Sequence, residues 1–162
     1  MPNAGDLAPD FTLATDAGLP LTLSSLRGRP VILYFYPRDD TAGCTAEACE
    51  FRDLFPRFDA ADAADAADAD AAVLGVSPDT VRSHAKFKAT YALPFTLLAD
   101  PEHAVAEAYG VWQEKQMYGR RFMGVVRTTF VLDRDGRVAH VFERVRPAGH
   151  AEAVAAALAG LG

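Results

Sequence analysis

The sequence has few cysteines and no long hydrophobic run, and these two absences limit the kinds of protein it encodes. Only two cysteines occur among 162 residues, so a fold held together by several structural disulfides is excluded. No stretch of about 18 apolar residues occurs, and a membrane-spanning helix is not expected. Residues 1–11 carry neither a basic segment nor an apolar core. We therefore expect no signal peptide, and the cytoplasm is the simplest location.

Several catalytic and binding motifs are absent as well. There is no Cys-x-x-Cys pair, no glycine-rich phosphate loop and no Gly-x-Ser-x-Gly elbow, and the first absence disfavours a general dithiol oxidoreductase. The histidines show no metal-ligand spacing, so we expect no metal site and place all four at the surface: His84, His103, His140 and His150. The net charge of −6 disfavours nucleic acid and anionic membranes as partners.

What is present is the composition of an ordinary folded domain. Half of the residues are hydrophobic and 23% are charged, and 162 residues suffice to bury a core without covalent staples. Short apolar runs alternate with helix-forming segments, which predicts the α/β class. We expect one domain over residues 1–162, since no linker interrupts the pattern.

The strongest local pattern is a strand followed by a loop and a helix. The run Val31–Tyr36 is β-branched and aromatic, which predicts a buried central strand that ends at Pro37. Helix formers from Cys44 to about Phe58 predict the helix. The other predicted elements are an N-terminal hairpin (Phe11–Leu13 and Leu21–Leu23), a second parallel strand (Val73–Val76), helices at Thr80–Tyr91, Pro101–Tyr109 and His150–Leu161, and a hairpin that joins Thr128–Leu132 to Val138–Phe142.

One segment has an unusual composition. Residues 59–72 are almost entirely Ala and Asp, with an aspartate at every third position from 59 to 68. Alanine favours a helix, whereas like charges three residues apart oppose it. The segment is interpreted as a solvated extension or loop, with an acidic docking surface as the alternative.

The two cysteines are the main candidates for chemistry. Cys44 lies where a loop passes into a helix, and the unpaired N–H groups and positive dipole of a helix N-terminus favour a thiolate. Cys49 follows five residues later, which in an ideal helix separates the two Cα atoms by ~8.6 Å. A disulfide needs less than about 7 Å, so the first turns would have to unwind for the pair to bond. On spacing alone, two buried and inert cysteines remain an equal alternative.

The residues around Cys44 resemble a known family. Residues 37–44 match Pro-x-x-x-Thr-x-x-Cys, the pattern of peroxiredoxins, and residues 44–53 (CTAEACEFRD) resemble the peroxiredoxin Q, or bacterioferritin comigratory protein, branch, an atypical 2-Cys type. The similarity runs nearly end to end and includes four further segments: Ala8–Phe11, Leu93–Leu98, Tyr109–Trp112 and Arg127–Asp133. The Ala/Asp segment is the main departure, because it looks longer and blander than its equivalent in the family.

The resemblance implies a thioredoxin-like fold with a central mixed sheet flanked by helices and an N-terminal hairpin. It implies reduction of hydrogen peroxide or organic hydroperoxides without a metal or organic cofactor. Cys44 would be the peroxidatic residue and Cys49 the resolving one, closing a redox disulfide. Thioredoxin or a similar dithiol would reduce that disulfide. The branch implies a monomer, with a dimer left open.

Four further residues are candidates for the site. The chemistry of peroxide cleavage suggests that Thr41 places a hydroxyl beside the sulfur, with a helix cap as its other role. By resemblance, Arg127 would stabilise the thiolate and orient peroxide, and Pro37 would cover the sulfur; the sequence alone favours a surface arginine and allows a simple strand stopper. Glu47, in the first turns of the helix, is a supporting candidate that pairs with an arginine or complements the dipole, with a purely structural role as the alternative.

Two carboxylates near Cys44 bear on this assignment. Asp39 and Asp40 would raise the pKa of the thiol if they pointed inward, and we therefore expect both to face solvent. Two other functions stay open at this point: a peroxide-responsive redox sensor that uses the same cysteines, and a non-enzymatic domain with inert cysteines.

Overall fold

The fold is described by a computed structural model that covers residues 1–58 and 70–161. Nine strands and four helices follow in the order β1 Thr12–Thr15, β2 Pro20–Thr22, β3 Val31–Phe35, α1 Ala42–Phe58, β4 Ala72–Ser77, α2 Val81–Tyr91, β5 Thr96–Ala99, α3 Ala104–Ala108, β6 Trp112–Met117, β7 Arg120–Val125, β8 Thr128–Leu132, β9 Val138–Phe142 and α4 His150–Ala159. No helix in these ranges is long and apolar enough to cross a membrane.

Seven strands form one sheet in the order β2-β1-β5-β4-β3-β8-β9. Strand β4 pairs in parallel with both β3 and β5, whereas β8 runs antiparallel to β3. The N-terminal hairpin of β1 and β2 extends the sheet through an antiparallel pairing of β1 with β5. The sheet is therefore mixed, and the predicted α/β class with a central mixed sheet is confirmed.

Strand β3 lies at the centre and is buried on both faces. Because successive side chains of a strand point to opposite faces, Ile32 and Tyr34 join the core beneath α1 and α4, whereas Leu33 and Phe35 join the core beneath α3. A continuous apolar run is what such a strand requires. The strand ends at the edge of the sheet where α1 begins, and this places the cysteine loop.

Most predicted elements are confirmed, with boundaries shifted by a few residues. The cysteine helix begins at Ala42, two residues before the predicted start, and the predicted helix at Pro101–Tyr109 shortens to Ala104–Ala108. The turn between β8 and β9 forms at Asp133, whose side chain accepts hydrogen bonds from the N–H groups of Asp135 and Arg137.

Three strands were not predicted: β5, β6 and β7. Strands β6 and β7 form a separate antiparallel hairpin that is largely exposed. Its sequence is rich in charged and long polar side chains, which carry a weak strand signal. The turn at Tyr118 and Gly119 has positive φ at both residues, the backbone that a two-residue hairpin turn requires.

Residues 59–69, which make up most of the Ala/Asp segment, lie outside the described residues. The interpretation of that part therefore stays a prediction. At its end, the N–H groups of Asp70 and Ala71 both donate to the carbonyl of Phe58, the last residue of α1. The chain then enters β4 at Ala72.

Candidate active site

Cys44 is the third residue of α1 and is buried, with 2% of its surface exposed. The helix starts directly after Thr41, whose carbonyl accepts the hydrogen bond from the N–H of Thr45. The thiol therefore lies in the first turn, where backbone N–H groups have no partner within the helix and the dipole is positive. Both features favour a thiolate over a thiol.

Arg127 brings a fixed positive charge to the sulfur from the start of β8, the strand whose Thr128 pairs with Phe35 of β3. It lies between β7 and β8, and its Nη2 donates a hydrogen bond to Sγ of Cys44 at 3.2 Å. A Cβ at Gly43 would come within 3.2 Å of the same nitrogen, so the missing side chain there leaves room for the guanidinium. The structure thus brings together Cys44 and Arg127, which are 83 residues apart.

Glu47 holds the other side of the guanidinium. Its Oε1 accepts a hydrogen bond from Nη1 of Arg127 at 2.7 Å, and its side chain is 1% exposed. Burial raises the pKa of Glu47 to about 7, although Arg127 opposes the shift. Burial also opposes the charge on Arg127, but Glu47 and Cys44 outweigh it and raise the arginine pKa above its usual value. One cation is therefore shared by two acidic groups.

Thr41 and Pro37 lie in the loop between β3 and α1. The hydroxyl of Thr41 donates to the backbone carbonyl of Arg38 at 3.0 Å, which commits its hydrogen and leaves its oxygen lone pairs for a ligand. Pro37 is half-buried and follows the last buried residues of the strand. The predicted roles of both residues toward peroxide stay predictions.

Cys49 lies on the same unbroken helix as Cys44, and both thiols are free. It is partly exposed, in contrast to the buried Cys44. A continuous α-helix between them keeps the two Cα atoms too far apart for a disulfide. The structure is therefore the one in which Cys44 is held beside Arg127, and a bond between the two cysteines would need another conformation.

The expectation that Asp39 faces solvent is wrong. Its side chain is buried and its carboxylate accepts hydrogen bonds from the Tyr36 hydroxyl at 2.6 Å and the Ser83 hydroxyl at 2.8 Å. Tyr36 and Asp39 are close in sequence, but Ser83 lies on α2, so no local pattern reveals this pocket for the carboxylate. Asp40 is exposed as expected and accepts a hydrogen bond from the Tyr91 hydroxyl.

The expectation that the histidines lie at the surface is wrong for two of them. His84 is fully buried and His150 is 6% exposed. Nε2 of His150 lies 2.7 Å from Oγ1 of Thr129 and 3.9 Å from Oε2 of Glu47. Burial, together with the positive charge of Arg127, lowers the pKa of His150 to about 4. His150 is therefore a neutral neighbour of the Glu47 carboxyl at neutral pH.

Lys115, on the exposed hairpin, was also missed. Its Nζ donates a hydrogen bond to the carbonyl of Val125, two residues before Arg127. Burial lowers the pKa of Lys115, and the positive charge of Arg127 adds to this effect. Nothing in its own sequence neighbourhood distinguishes this lysine from a solvated one, because the contact depends on how the hairpin folds back.

One group of residues within the described ranges has the chemistry of a metal site. Ligand atoms of Asp39, Asp79 and His84 all lie within 4.8 Å of one another. However, these atoms are already engaged with protein groups: His84 Nδ1 lies 2.7 Å from the Asp39 carboxylate, and Asp79 accepts from the Asp39 N–H. The arrangement has the geometry of a closed hydrogen-bond network.

The site and fold were compared with known proteins. A model of the AhpC/TSA family matches residues 4–141. Peroxiredoxin Bcp of Bacillus subtilis is 44% identical over 146 residues, which are 90% of this chain and 88% of the relative. Peroxiredoxin Bcp of Xanthomonas campestris is 41% identical over 149 residues, covering 92% and 88%.

A solved structure agrees with the whole fold. The bacterioferritin comigratory protein of Xanthomonas campestris, a protein with alkyl peroxide reduction activity, superposes on this chain with a TM-score of 0.86. The two chains are 37% identical, and the match covers 99% of this chain and 98% of the other.

Proposed function

The chain belongs to the AhpC/TSA family and is a peroxidase of the Bcp, or peroxiredoxin Q, kind with a thioredoxin-like fold, and from this premise we propose that Cys44 is the residue that attacks the hydroperoxide. The observation that carries the proposal is the 3.2 Å hydrogen bond from Arg127 to the sulfur at the first turn of α1. A cation and a helix N-terminus both act on this one thiol.

In the first step the Cys44 thiolate attacks one oxygen of the peroxide, and the O–O bond breaks. The sulfur becomes a sulfenic acid, and the departing oxygen leaves with the bonding electron pair and takes a proton to form an alcohol or water. Negative charge moves from the sulfur to that oxygen. Arg127, which already contacts the sulfur, would stabilise the charge at both positions, and such electrostatic stabilisation is usually the largest contribution to catalysis.

In the second step Cys49 resolves the sulfenic acid. Its thiolate attacks the sulfur of Cys44, an S–S bond forms, and the hydroxyl of the sulfenic acid leaves as water after taking a proton. Because the two residues lie five apart on one helix, the start of α1 must unwind before the sulfurs meet.

A thiol reductant then restores both cysteines. Peroxide as substrate and a thiol as reductant follow from the family; thioredoxin or a similar dithiol is our proposal for the specific donor. The same proposal includes a single domain over residues 1–162, a monomer, and a cytoplasmic location, where a disulfide between the only two cysteines is a transient redox state. Electrons pass through the two sulfurs alone, so the steps need no cofactor.

The test is peroxide-dependent consumption of NADPH in the presence of thioredoxin and thioredoxin reductase. We expect turnover with the wild-type chain and none with Cys44→Ser. Dithiothreitol in place of thioredoxin gives a control in which the loss of peroxide is measured. Turnover with this small dithiol but not with thioredoxin would support Cys44 as the nucleophile and reject thioredoxin as the donor. Equal turnover of wild type and Cys44→Ser would contradict the proposed nucleophile. Oxidation of Cys44 without turnover under either donor would favour the redox sensor.

A further inference from the structure

The loop between β3 and α1, called the peroxide-binding loop here because it carries Thr41, is attached to α2 by a buried cluster of hydrogen-bonded side chains. Asp39 sits in the middle of this loop, and its carboxylate receives hydrogen bonds from three directions. Tyr36 donates at 2.6 Å and Ser83 at 2.8 Å, and Nδ1 of His84 lies 2.7 Å away. Neither Asp39 nor His84 takes part in the proposed chemical steps, so the cluster needs another explanation.

Every side-chain polar atom of this cluster has a hydrogen-bond partner. Nε2 of His84 donates to the carbonyl of Leu98 at 2.9 Å, because a carbonyl can only accept. Nδ1 of His84 shares a hydrogen bond of 2.7 Å with the carboxyl group of Asp39. Burial, with Tyr34 and Asp39 nearby, raises the pKa of Tyr36 well above its usual value, so the tyrosine remains a donor to Asp39. The ring of His84 therefore links the loop residue Asp39 to strand β5.

The peptide group between Arg38 and Asp39 transmits this anchoring to the site. Its N–H, on Asp39, donates to Oδ2 of Asp79 at 2.7 Å. Its carbonyl, on Arg38, accepts the hydrogen of the Thr41 hydroxyl at 3.0 Å. Asp79 is itself held by the Ser77 hydroxyl at 2.6 Å. The cluster therefore fixes the plane of one peptide, and that peptide orients the hydroxyl proposed to meet the peroxide.

Helix α2 also holds the other end of the segment that contains the two cysteines. Nη1 of Arg52 donates to the carbonyl of Tyr91, the last residue of α2, at 2.9 Å. The Tyr91 hydroxyl donates to Asp40 at 2.9 Å. Cys44 and Cys49 thus lie between two attachments to the same helix, and the deeper attachment is the one at Asp39.

We propose that His84 is a positioning residue of the peroxidase, which with Asp39 anchors the peroxide-binding loop on α2, so that the unwinding before the Cys44–Cys49 bond begins only after Asp39. This inference rests on the two-step mechanism proposed above. The anchor stabilises the conformation that reacts with peroxide and opposes the one that forms the disulfide. Weakening it affects the two steps in opposite directions.

Two variants test the anchor, with a third as control. His84→Gln removes the ring that links Asp39 to the carbonyl of Leu98. Asp39→Asn replaces an acceptor oxygen by an amide that faces donors. Lys88→Gln, on the same helix, breaks the ion pair with Asp16 and touches neither the loop nor the cysteines, so it reports any general loss of stability of α2.

Rapid-quench mass spectrometry separates the thiol, sulfenic and disulfide forms within one turnover. We expect His84→Gln and Asp39→Asn to slow sulfenic acid formation about tenfold or more, since small displacements of reacting groups have effects of this size. Conversion of the sulfenic acid to the disulfide should be faster than in wild type, and Lys88→Gln should change neither rate. Sulfenic acid formation at the wild-type rate in both anchor variants, or equal slowing by Lys88→Gln, would overturn the proposal.

A measurement on the wild-type protein remains decisive even where a variant fails to fold. Nitrogen-15 NMR of labelled histidine reports the hydrogen bonding of each ring nitrogen, and both nitrogens of His84 should be hydrogen-bonded, Nδ1 to Asp39 and Nε2 to Leu98. An Nδ1 without this hydrogen bond, or micromolar binding of Zn²⁺ at Nδ1, would reject the anchor. These measurements on His84 test the anchor separately from the proposed function. The proposed function would fail instead if peroxide did not oxidise Cys44 in the wild-type protein.

Discussion

At the scale of residues, the site is governed by one guanidinium shared between a sulfur and a carboxyl. Arg127 donates to Cys44 and to Glu47 through different nitrogens. The sulfur and the carboxyl therefore face the same positive charge in a buried place. The raised pKa of Glu47 comes from the burial of its carboxyl, which the charge of Arg127 opposes.

The shape of the guanidinium matters as much as its charge. A lysine at position 127 supplies a point charge without the planar fork that reaches both Cys44 and Glu47. We expect Arg127→Lys to lower the second-order rate constant for oxidation of Cys44 about hundredfold, in the range found when one preorganised donor is lost. Stopped-flow reaction with hydrogen peroxide measures it. The exposed Arg120→Lys serves as the matched control and should react like wild type.

Glu47 makes stability depend on pH. Its pKa rises from 4.5 to about 7 on folding, so the folded protein keeps a proton that the unfolded chain has already released. The contribution to stability is full below pH 4.5 and is lost as pH rises through about 7. Urea unfolding should show the wild type losing stability relative to Glu47→Gln across this window.

Comparing the wild type with Glu47→Gln cancels the effect of other titrating groups on the free energy of unfolding. His150 has a lowered pKa and contributes with the opposite sign, losing stability as pH falls from 6.5 through about 4. That contribution is common to wild type and Glu47→Gln. A free-energy difference that is constant over the window from 4.5 to 7 would show that Glu47 does not titrate there.

At the scale of elements, α1 combines a firmly packed middle with an exposed beginning. Ala48 and Phe51 are fully buried in the core, whereas Thr41 and Ala42 are exposed. Opening the first turn therefore takes the buried Cys44 out of the core but few other apolar groups. The proposed unwinding becomes more costly where it reaches Ala48, and Phe51 keeps the rest of the helix attached to the sheet.

The proposed unwinding is measurable by hydrogen exchange. Amides of residues 45–50 should be protected in the reduced chain and exchange rapidly once the disulfide forms, because their helical hydrogen bonds are lost. Those of α2 should keep their protection and serve as the internal control. Equal protection of residues 45–50 in the reduced and disulfide forms would contradict unwinding.

Removing the proposed resolving thiol, that of Cys49, tests the same element by its chemistry. Cys49→Ser cannot form the disulfide, so Cys44 should stop at the sulfenic acid and advance to the sulfinic acid under excess peroxide. Intact-mass spectrometry reads both products. If neither product accumulated, Cys49 would not be the resolving residue.

At the scale of the whole molecule, the sheet separates two cores. One includes Cys44 together with α1 and α4, and the other lies beneath α3 and includes Leu74, Val105 and Tyr109. Among the described residues, those of α1 belong to the first core and none belongs to the second. We therefore expect that stability and peroxide chemistry can be altered separately.

A truncation in the second core tests this separation. Leu74 is 2% exposed, and Leu74→Ala should lower the free energy of unfolding by about 2–5 kcal/mol, with a smaller loss for Leu74→Val. The rate constant for oxidation of Cys44 in the folded fraction should equal that of wild type. Urea denaturation and stopped-flow kinetics measure the two quantities, and a large fall in the rate constant would show that the cores are coupled.

Local patterns predicted the elements that depend on near neighbours. The apolar run of β3, the helix after the cysteine loop and the turn after Asp133 all form from residues adjacent in sequence. The hairpin of β6 and β7 escaped prediction because its strands are exposed and carry no apolar alternation. Its stability comes from pairing, which no single strand reveals.

The sequence by itself determined the α/β class, the position of Cys44 at a helix start and the spacing that keeps Cys49 out of reach. Only the tertiary structure decided that Arg127 contacts both Cys44 and Glu47, and that His84 is buried against the loop. The physical reason is that helix and strand patterns repeat over a few residues. Contacts across 45 and 83 residues depend instead on how the whole sheet brings distant segments together.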